Sequence, residues 1–156
     1  MGERTERCEP VIFTNMVMVE DEGGRVLVEN KRGSWGGLVF PGGHVEKGEF
    51  FTDAAIREVR EETGLSIKNP RLVGIKHFIT GRYRYVVTLF SANEFEGELS
   101  PSQEGEVFWL SREELLGREN EMPPTFRRML DIFFYGAASE YCMMEREDGG
   151  FDESFR

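Results

Sequence analysis

Residues 42 to 65 read GGHVEKGEFFTDAAIREVREETGL, and this stretch carries most of what the sequence predicts. Within it, Glu58, Glu61 and Glu62 have the spacing i, i+3, i+4. Each residue turns a helix by about 100°, so this spacing places three carboxylates on one side of a helix. Such a patch repels itself unless a cation lies there, and hard divalent cations such as magnesium bind oxygen ligands. The pattern therefore indicates a metal site, with an acidic helix face in contact with water as the alternative.

The length and charge of the chain limit the classes of function. Its 156 residues suffice for one domain with a buried core. The net charge of −10, from 29 acidic and 19 basic residues, disfavours a nucleic-acid polymer or an anionic membrane as partner, because proteins that bind these carry basic patches. Cys8 and Cys142 predict free thiols in a reducing compartment. The sequence contains neither a signal-peptide pattern nor a transmembrane run, so we expect a cytoplasmic protein.

Alternating apolar patterns separated by turn residues predict a series of strands. A long strand at residues 11–20 and a second at 25–30 form a hairpin around a tight turn. A glycine-rich loop that contains Trp35 follows them. Further strands are predicted at residues 38–40, 71–80, 83–93, 107–110 and 140–144.

Helical spacing predicts two long helices and a short one. The first spans residues 50–63 and ends at Gly64, which favours a left-handed cap. Residues 111–114 form a capping box that opens a short helix, and residues 123–135 form the second long helix. The first helix has an apolar stripe for the core that consists of Thr52, Ala55, Ile56, Val59 and Thr63.

The order of these elements predicts an α/β (α+β) fold in which helices cover both faces of a mixed sheet. Residues 145–156 are acidic and are predicted to form a loose tail. A single domain over residues 1–156, with its core at about residues 10–144, is the expected organisation.

The stretch around the three glutamates also resembles a known family. It matches every fixed position of the G-x5-E-x7-R-E-U-x-E-E-x-G-U box of the Nudix hydrolases, in which U is a bulky aliphatic residue. The segment at residues 40–43 and Trp35 resemble what precedes the box in that family. The likeness covers roughly residues 10 to 135 and implies the Nudix fold, a mixed sheet sandwiched between helices (α/β/α). The matching residues are Gly43, Glu49, Arg57, Glu58, Val59, Glu61, Glu62, Gly64 and Leu65.

The resemblance implies hydrolysis of a nucleoside diphosphate linked to a moiety X, with Mg²⁺ or Mn²⁺ as cofactor. It assigns metal binding to Glu58, Glu61, Glu62 and the Gly43 carbonyl, with Glu61 and Glu62 also acting in catalysis. Phosphoryl transfer needs neutralised phosphate oxygens and a positioned water, which suits these groups. Arg57 resembles, with Glu49, the catalytic pair that braces the loop against the helix.

Three segments outside the box resemble functional positions of MutT-like members. Glu104, with Glu106 as the weaker candidate, resembles a further metal ligand, although most loop glutamates only contact water. Lys31 lies where such enzymes carry a base that contacts phosphate. Asn120 and Glu121 lie where an Asn or Asp reads the purine edge, and helix capping is the alternative.

The box predicts the reaction but not the substrate. The leading interpretation is a MutT-like nucleoside triphosphate diphosphatase that acts on an oxidised purine such as 8-oxo-dGTP. Tyr83 resembles a marker of dinucleoside polyphosphate hydrolases and supports the alternative. A non-catalytic nucleotide sensor and an interaction module that uses Phe151 and Phe155 are further alternatives. We expect a small nucleotide as partner and a homodimer, formed through the strand at residues 140–144.

Overall fold

A computed structural model describes residues 7–156 of the chain. Its strands and helices follow the predicted order with short additions. The strands are β1 (Val11–Val19), β2 (Arg25–Lys31), β3 (Gly37–Val39), β4 (Ser66–Lys68), β5 (Arg71–Ile79), β6 (Arg84–Ala92), β7 (Glu94–Glu96), β8 (Gly105–Ser111), β9 (Glu140–Glu145) and β10 (Phe151–Phe155). The helices are α1 (Phe51–Thr63), α2 (Arg112–Gly117) and α3 (Pro124–Tyr135), with a 3₁₀ turn at Glu119–Glu121.

A five-stranded mixed sheet in the order β1-β6-β5-β9-β10 forms the centre of the fold. Strands β1 and β6 are parallel, as are β5 and β9, and the other neighbours are antiparallel. Strands β3, β2 and β8 form a second sheet, and β4 pairs with β7. The predicted hairpin of β1 and β2 is therefore wrong, because the two strands meet at a bridge between Glu20 and Val26 and then diverge into different sheets. The predicted mixed sheet is confirmed.

Alternation along β1 separates the two sides of the sheet. Val17 and Val19 belong to a buried cluster with Ala55 and Val59 of α1. Met18 belongs to the opposite cluster, which contains the buried side of α3. Because successive strand residues point to opposite faces, α1 and α3 cover opposite faces of the sheet. This arrangement confirms the predicted sandwich.

Helix α1 fixes the position of the box glutamates. Gly64 ends it with φ 79°, and its N–H donates to the Arg60 carbonyl, as the left-handed cap predicts. The prediction that Thr52 belongs to the buried stripe is wrong, because Thr52 lies in the first turn and is exposed. The core cluster reaches this helix only from Ala55 onward, beside the buried Ala54.

The predicted loose tail is wrong for Phe151–Phe155, which forms β10 and pairs antiparallel with β9. Phe151 and Phe155 lie on the same side of this strand, with Glu153 between them, and both rings pack on the sheet. The Phe155 ring stacks on Tyr141 with centroids 5.0 Å apart. Strand β9 therefore has neighbours on both sides, β5 and β10, so the predicted dimer cannot form by pairing of this strand. No helix among residues 7–156 is long and apolar enough to cross a membrane.

Candidate active site

Arg57 connects helix α1 to the loop that precedes it. Its Nε and Nη2 donate to the two oxygens of Glu49, at 2.8 and 2.9 Å. Its Nη2 also donates to the His44 carbonyl at 2.9 Å. These hydrogen bonds lower the pKa of Glu49 to about 2 and raise the pKa of Arg57. A planar guanidinium with two parallel bonds holds the loop in one orientation relative to the helix.

The same guanidinium joins two of the box glutamates. Arg57 Nη1 donates to Glu58 Oε1 at 2.8 Å and to Glu61 Oε2 at 3.2 Å. The Glu58 carboxylate packs on the backbone of Gly43, where an added Cβ would lie 2.5 Å from its Cδ. Only glycine permits this approach. The Gly43 carbonyl accepts from Asn15 N at 2.9 Å, which leaves one lone pair of that oxygen for a further contact.

Glu62 lies deeper than the other box glutamates and is 3% exposed. Its Oε2 accepts from the Gly42 N–H at 2.8 Å, and its Oε1 lies 3.0 Å from Lys31 Nζ. Burial raises the pKa of Glu62 to about 8, although the Lys31 charge acts in the opposite direction. The glutamates of the box are therefore not equivalent, because Glu62 is buried whereas Glu61 is exposed.

Glu29 of β2 is a site residue that the sequence analysis missed. It is 0% exposed, and neither of its carboxylate oxygens has a hydrogen-bond partner in the described part of the chain. One oxygen of each of Glu29, Glu62 and Glu104 lies within 4.8 Å of the others. Burial raises the pKa of Glu29, Lys31 opposes this, and the Glu104 charge adds to it.

These three carboxylates fit a divalent cation. Buried carboxylates without donors are costly unless a positive charge compensates them. Oxygen ligands at this spacing are the donor set that Mg²⁺ and Mn²⁺ prefer. The cluster includes the predicted ligands Glu62 and Glu104. Glu58 and Glu61 lie outside it, on Arg57.

Lys31 carries the positive charge within this cluster. Its Nζ lies 3.0 Å from Glu62 Oε1 and 2.9 Å from Glu104 Oε2, and it donates to the Gly42 carbonyl at 3.4 Å. Burial is the largest influence and would lower the pKa of Lys31, but the charge and hydrogen bond of Glu62, the hydrogen bond to Glu104 and the charge of Glu29 together outweigh it, so the net pKa is raised. Lys31 therefore stays protonated beside the glutamates.

A cavity of about 460 Å³ opens next to the glutamates. Gly42, Gly43 and Lys31 line one end of it, and Trp35, Phe78 and Lys76 line the other. Its volume is within the range of small-molecule sites. Val39, Phe40, Met16 and Met129 supply further apolar lining.

The predicted base readers are not part of this cavity. Asn120 and Glu121 lie on the 3₁₀ turn and are exposed. The Glu121 carboxylate accepts from Arg118 at 2.7 and 2.8 Å, so its side chain is directed to its own neighbour in sequence. Tyr83 does not line the cavity either, whereas Tyr85 does. The predictions from the sequence did not include Lys76, because its only signal there is a lysine inside an apolar strand.

The family assignment follows from the whole chain as well as from the box. Residues 13–131, more than half of the chain, match the NUDIX domain. This chain belongs to the Nudix family. The resemblance deduced from the sequence is therefore confirmed. Glu58, Glu61 and Glu62 stand within the matched region.

Several curated relatives share part of the chain. The Nudix hydrolase YvcI of Bacillus subtilis (strain 168) is 39% identical over 102 residues, which are 62% of this chain and 63% of YvcI. An oxidized purine nucleoside triphosphate hydrolase of Danio rerio is 37% identical over 93 residues, 55% of this chain and 58% of that protein. The NAD-capped RNA hydrolase NudC of Haemophilus influenzae (strain PittEE) is 33% identical over 120 residues, 74% of this chain but 44% of NudC. Each match spans less than two thirds of the relative's length.

Solved structures share the fold over nearly the full length. A MutT protein from Bacillus halodurans is 28% identical with a TM-score of 0.72, and the match covers 93% of this chain and 96% of that one. A MutT protein from Methanosarcina mazei Go1 is 26% identical with a TM-score of 0.69, covering 83% and 96%. The Nudix fold of this chain is thus established independently of the box.

Proposed function

We propose that this protein hydrolyses nucleoside triphosphates of the oxidised-purine type to a nucleoside monophosphate and pyrophosphate, with Mg²⁺ as cofactor and Mn²⁺ as a substitute. The observation that carries the proposal is the carboxylate cluster of the buried Glu29 and Glu62 and the exposed Glu104, which lies beside one end of a cavity with aromatic lining. The cluster suits a cation and phosphates, and the cavity suits a flat base. The Danio rerio relative with this named activity supports the choice of substrate.

The cofactor would be held by Glu29, Glu62 and Glu104, with Glu58, Glu61 and the Gly43 carbonyl beside them. When bound there, a divalent cation neutralises phosphate oxygens and orients a water for attack on phosphorus. The water oxygen then forms a bond to phosphorus, the anhydride P–O bond breaks, and pyrophosphate leaves. Retention of all the box glutamates supports catalysis over a nucleotide-sensing role.

Lys31 is a cation beside the place where the phosphates would bind. It lines the cavity next to Gly42 and Gly43 and remains protonated. Its ammonium would contact the negative phosphate oxygens, which is the role that the resemblance implies.

The proton of the attacking water needs an accessible carboxylate acceptor. The side chains of Glu61 and Glu104 are 60% and 54% exposed. Glu62 is buried and already accepts from Gly42 and Lys31, so it suits a ligand better than a base. We assign proton acceptance to Glu61, because Arg57 holds it next to Glu58.

A second substrate class, dinucleotides with a central pyrophosphate, is favoured by the NudC relative, which is named an NAD-capped RNA hydrolase. The Tyr83 marker for dinucleoside polyphosphates has less support, because this residue does not line the cavity. Both classes share the same reaction at phosphorus and differ in the group that occupies the far end of the cavity.

The test is a Mg²⁺-dependent hydrolysis assay over a panel of nucleotides. It compares common and oxidised nucleoside triphosphates, diadenosine polyphosphates, NADH and ADP-ribose, with release of pyrophosphate or monophosphate as the readout. We expect the highest kcat/KM for an oxidised or 6-oxo purine triphosphate and no turnover in excess chelator. Turnover of dinucleotides alone would overturn the choice of substrate, and full activity in chelator would overturn the metal assignment.

A further inference from the structure

Lys76 of β5 is a buried cation at the far end of the cavity. The residue is 2% exposed, and its Nζ donates to Thr125 Oγ1 of α3 at 2.9 Å. The ammonium also lies 5.1 Å from the centroid of the Trp35 ring and 5.8 Å from that of Phe78. Burying an ammonium is costly, so its retention at this position calls for an explanation.

The charge of Lys76 is not neutralised by an ion pair within residues 7–156. The Glu153 carboxylate of β10 acts electrostatically on the Lys76 ammonium but lies beyond ion-pair distance from it. A lysine ammonium has three N–H donors, and the described residues occupy one of them, through Thr125. Lys76 lines the cavity, so donors remain for a ligand that enters it.

The register of the sheet places Lys76 at a nucleotide-sized distance from the phosphate end. Lys76 is paired with Val87 of β6, and Val87 with Thr14 of β1. Two strand spacings separate Lys76 from Thr14, roughly 10 Å. Thr14 in turn bridges to His44, next to the glycines beside the glutamates. A ligand with phosphates at Gly43 would therefore place its far group at Lys76.

Aromatic rings form the walls at this end. Phe78 and Tyr85 stack on each other with centroids 4.9 Å apart and an interplanar angle of 11°, and Trp35 is 55% exposed. Stacking on such rings favours a flat heterocycle but does not distinguish one base from another. Discrimination between bases therefore depends on the polar groups at this end, Lys76 and Thr125.

Resting on the proposed function, we propose that Lys76 determines base specificity by donating hydrogen bonds to the acceptor edge of a 6-oxopurine. Guanine, hypoxanthine and 8-oxoguanine all present the acceptor O6 at position 6, whereas adenine presents an amino donor there. If the Lys76 ammonium faces this amino group, two hydrogen-bond donors meet without an acceptor between them. The substrate class is thus the 6-oxopurine nucleotides, with the 6-aminopurine nucleotides disfavoured.

The experiment compares dITP with dATP, two substrates that differ at purine position 6. We expect kcat/KM of the wild type to favour dITP roughly 10- to 100-fold. In Lys76→Met the ratio should fall close to one, whereas in the control Lys68→Met, which removes an exposed lysine paired with Glu96, it should stay at the wild-type value. A wild type that prefers dATP, or a Lys76→Met variant with an unchanged ratio, would overturn the assignment.

A binding measurement separates this inference from the proposed hydrolysis. Titration calorimetry with inosine and adenosine monophosphates needs no turnover and can be applied to wild type, Lys76→Met and Lys68→Met. Tighter binding of the inosine nucleotide that depends on Lys76 supports the inference even if no triphosphate is hydrolysed. Equal affinities of the wild type for both, or no binding of either, would overturn it.

Discussion

Replacing Lys76 with methionine should stabilise the fold. Burial lowers the pKa of Lys76 from its ordinary value of 10.5 to about 8, although the Glu153 charge opposes this. At about 1.4 kcal/mol for each pH unit, the charged form of this buried group costs the fold roughly 3 kcal/mol at neutral pH. Methionine keeps an unbranched chain of similar length without the charge.

The gain is reduced by the partner that is left behind. The Thr125 hydroxyl loses the hydrogen bond from Lys76, which costs about 1 kcal/mol. The net increase in the free energy of unfolding is therefore about 2 kcal/mol. For a domain of this size, that corresponds to a rise in Tm of roughly 4–8 °C.

Urea unfolding at pH 7 and pH 10 measures this prediction. The folded-state pKa of Lys76 is below the unfolded one, so the wild type loses stability as the pH falls through about 8 and regains it toward 10.5. The groups that face Lys76 are Glu153 of β10, Tyr141 of β9 and Thr125 of α3. Of these groups, Glu153 carries a charge that opposes the lowering of the Lys76 pKa.

The advantage of Lys76→Met should consequently shrink at pH 10. The matched control is Lys68→Met, because the exposed pair of Lys68 and Glu96 contributes little, and its free energy of unfolding should stay close to that of the wild type at both pH values. The reasoning would be refuted if Lys76→Met were less stable than the wild type at pH 7. It would also be refuted if the variant exceeded the wild type by the same free energy of unfolding at pH 7 and pH 10.

Three further predictions concern the glutamates. Arg57→Lys keeps the charge but loses the two parallel bonds to Glu49, so kcat should fall roughly 10- to 100-fold with an unchanged circular dichroism spectrum; wild-type kcat would contradict the bracing role. Glu62→Gln should remove most of the rise in Tm that Mg²⁺ gives the wild type, and an equal rise in both proteins would exclude Glu62 as a ligand. In chelator, the free energy of unfolding of the wild type should fall as the pH rises from 4.5 through about 8. Burial raises the pKa of Glu62, so the folded state favours its protonated form. Equal free energies of unfolding from urea titrations at pH 5.5 and 8.5 would contradict this.

Long periodic elements could be predicted from the sequence, whereas short ones could be predicted only where a turn or a cap marks them, as for β3 and α2. Helix α1 and the cap at Gly64 follow from local spacing. Strands β4 and β7 have three residues each, which is too short for a periodic pattern. Strand β10 was mistaken for a tail because Asp152 and Glu153 dominate its composition, although Phe151 and Phe155 pack on the sheet.

The candidate site divides in the same way. Arg57 and Glu49 could be paired from the sequence through the resemblance to the box of the family, and the structure joins them by hydrogen bonds. Glu29 could not be linked to Glu62, because their proximity depends on how β2 packs beside α1, 33 positions further along the chain. The three strand residues before Glu29 are buried and apolar, and Asn30 after it is exposed, so the sequence alone shows an acid at the end of an apolar run.

The sequence does contain a signal for Lys76, namely a charged residue at a strand position where an apolar one is expected. Strand alternation places it on the same face as Gly74 and Phe78, and Phe78 lines the cavity, so an apolar residue is expected there. Glu29 likewise is a buried charge at the end of the buried run of β2. A charge at a position that alternation assigns to the interior is costly, and a ligand of opposite or complementary polarity offsets that cost. In this chain the interior acid lies at the cation end of the cavity and the interior base at the proposed nucleobase end. Charges that violate strand alternation therefore mark both ends of the proposed substrate site, which the box alone does not.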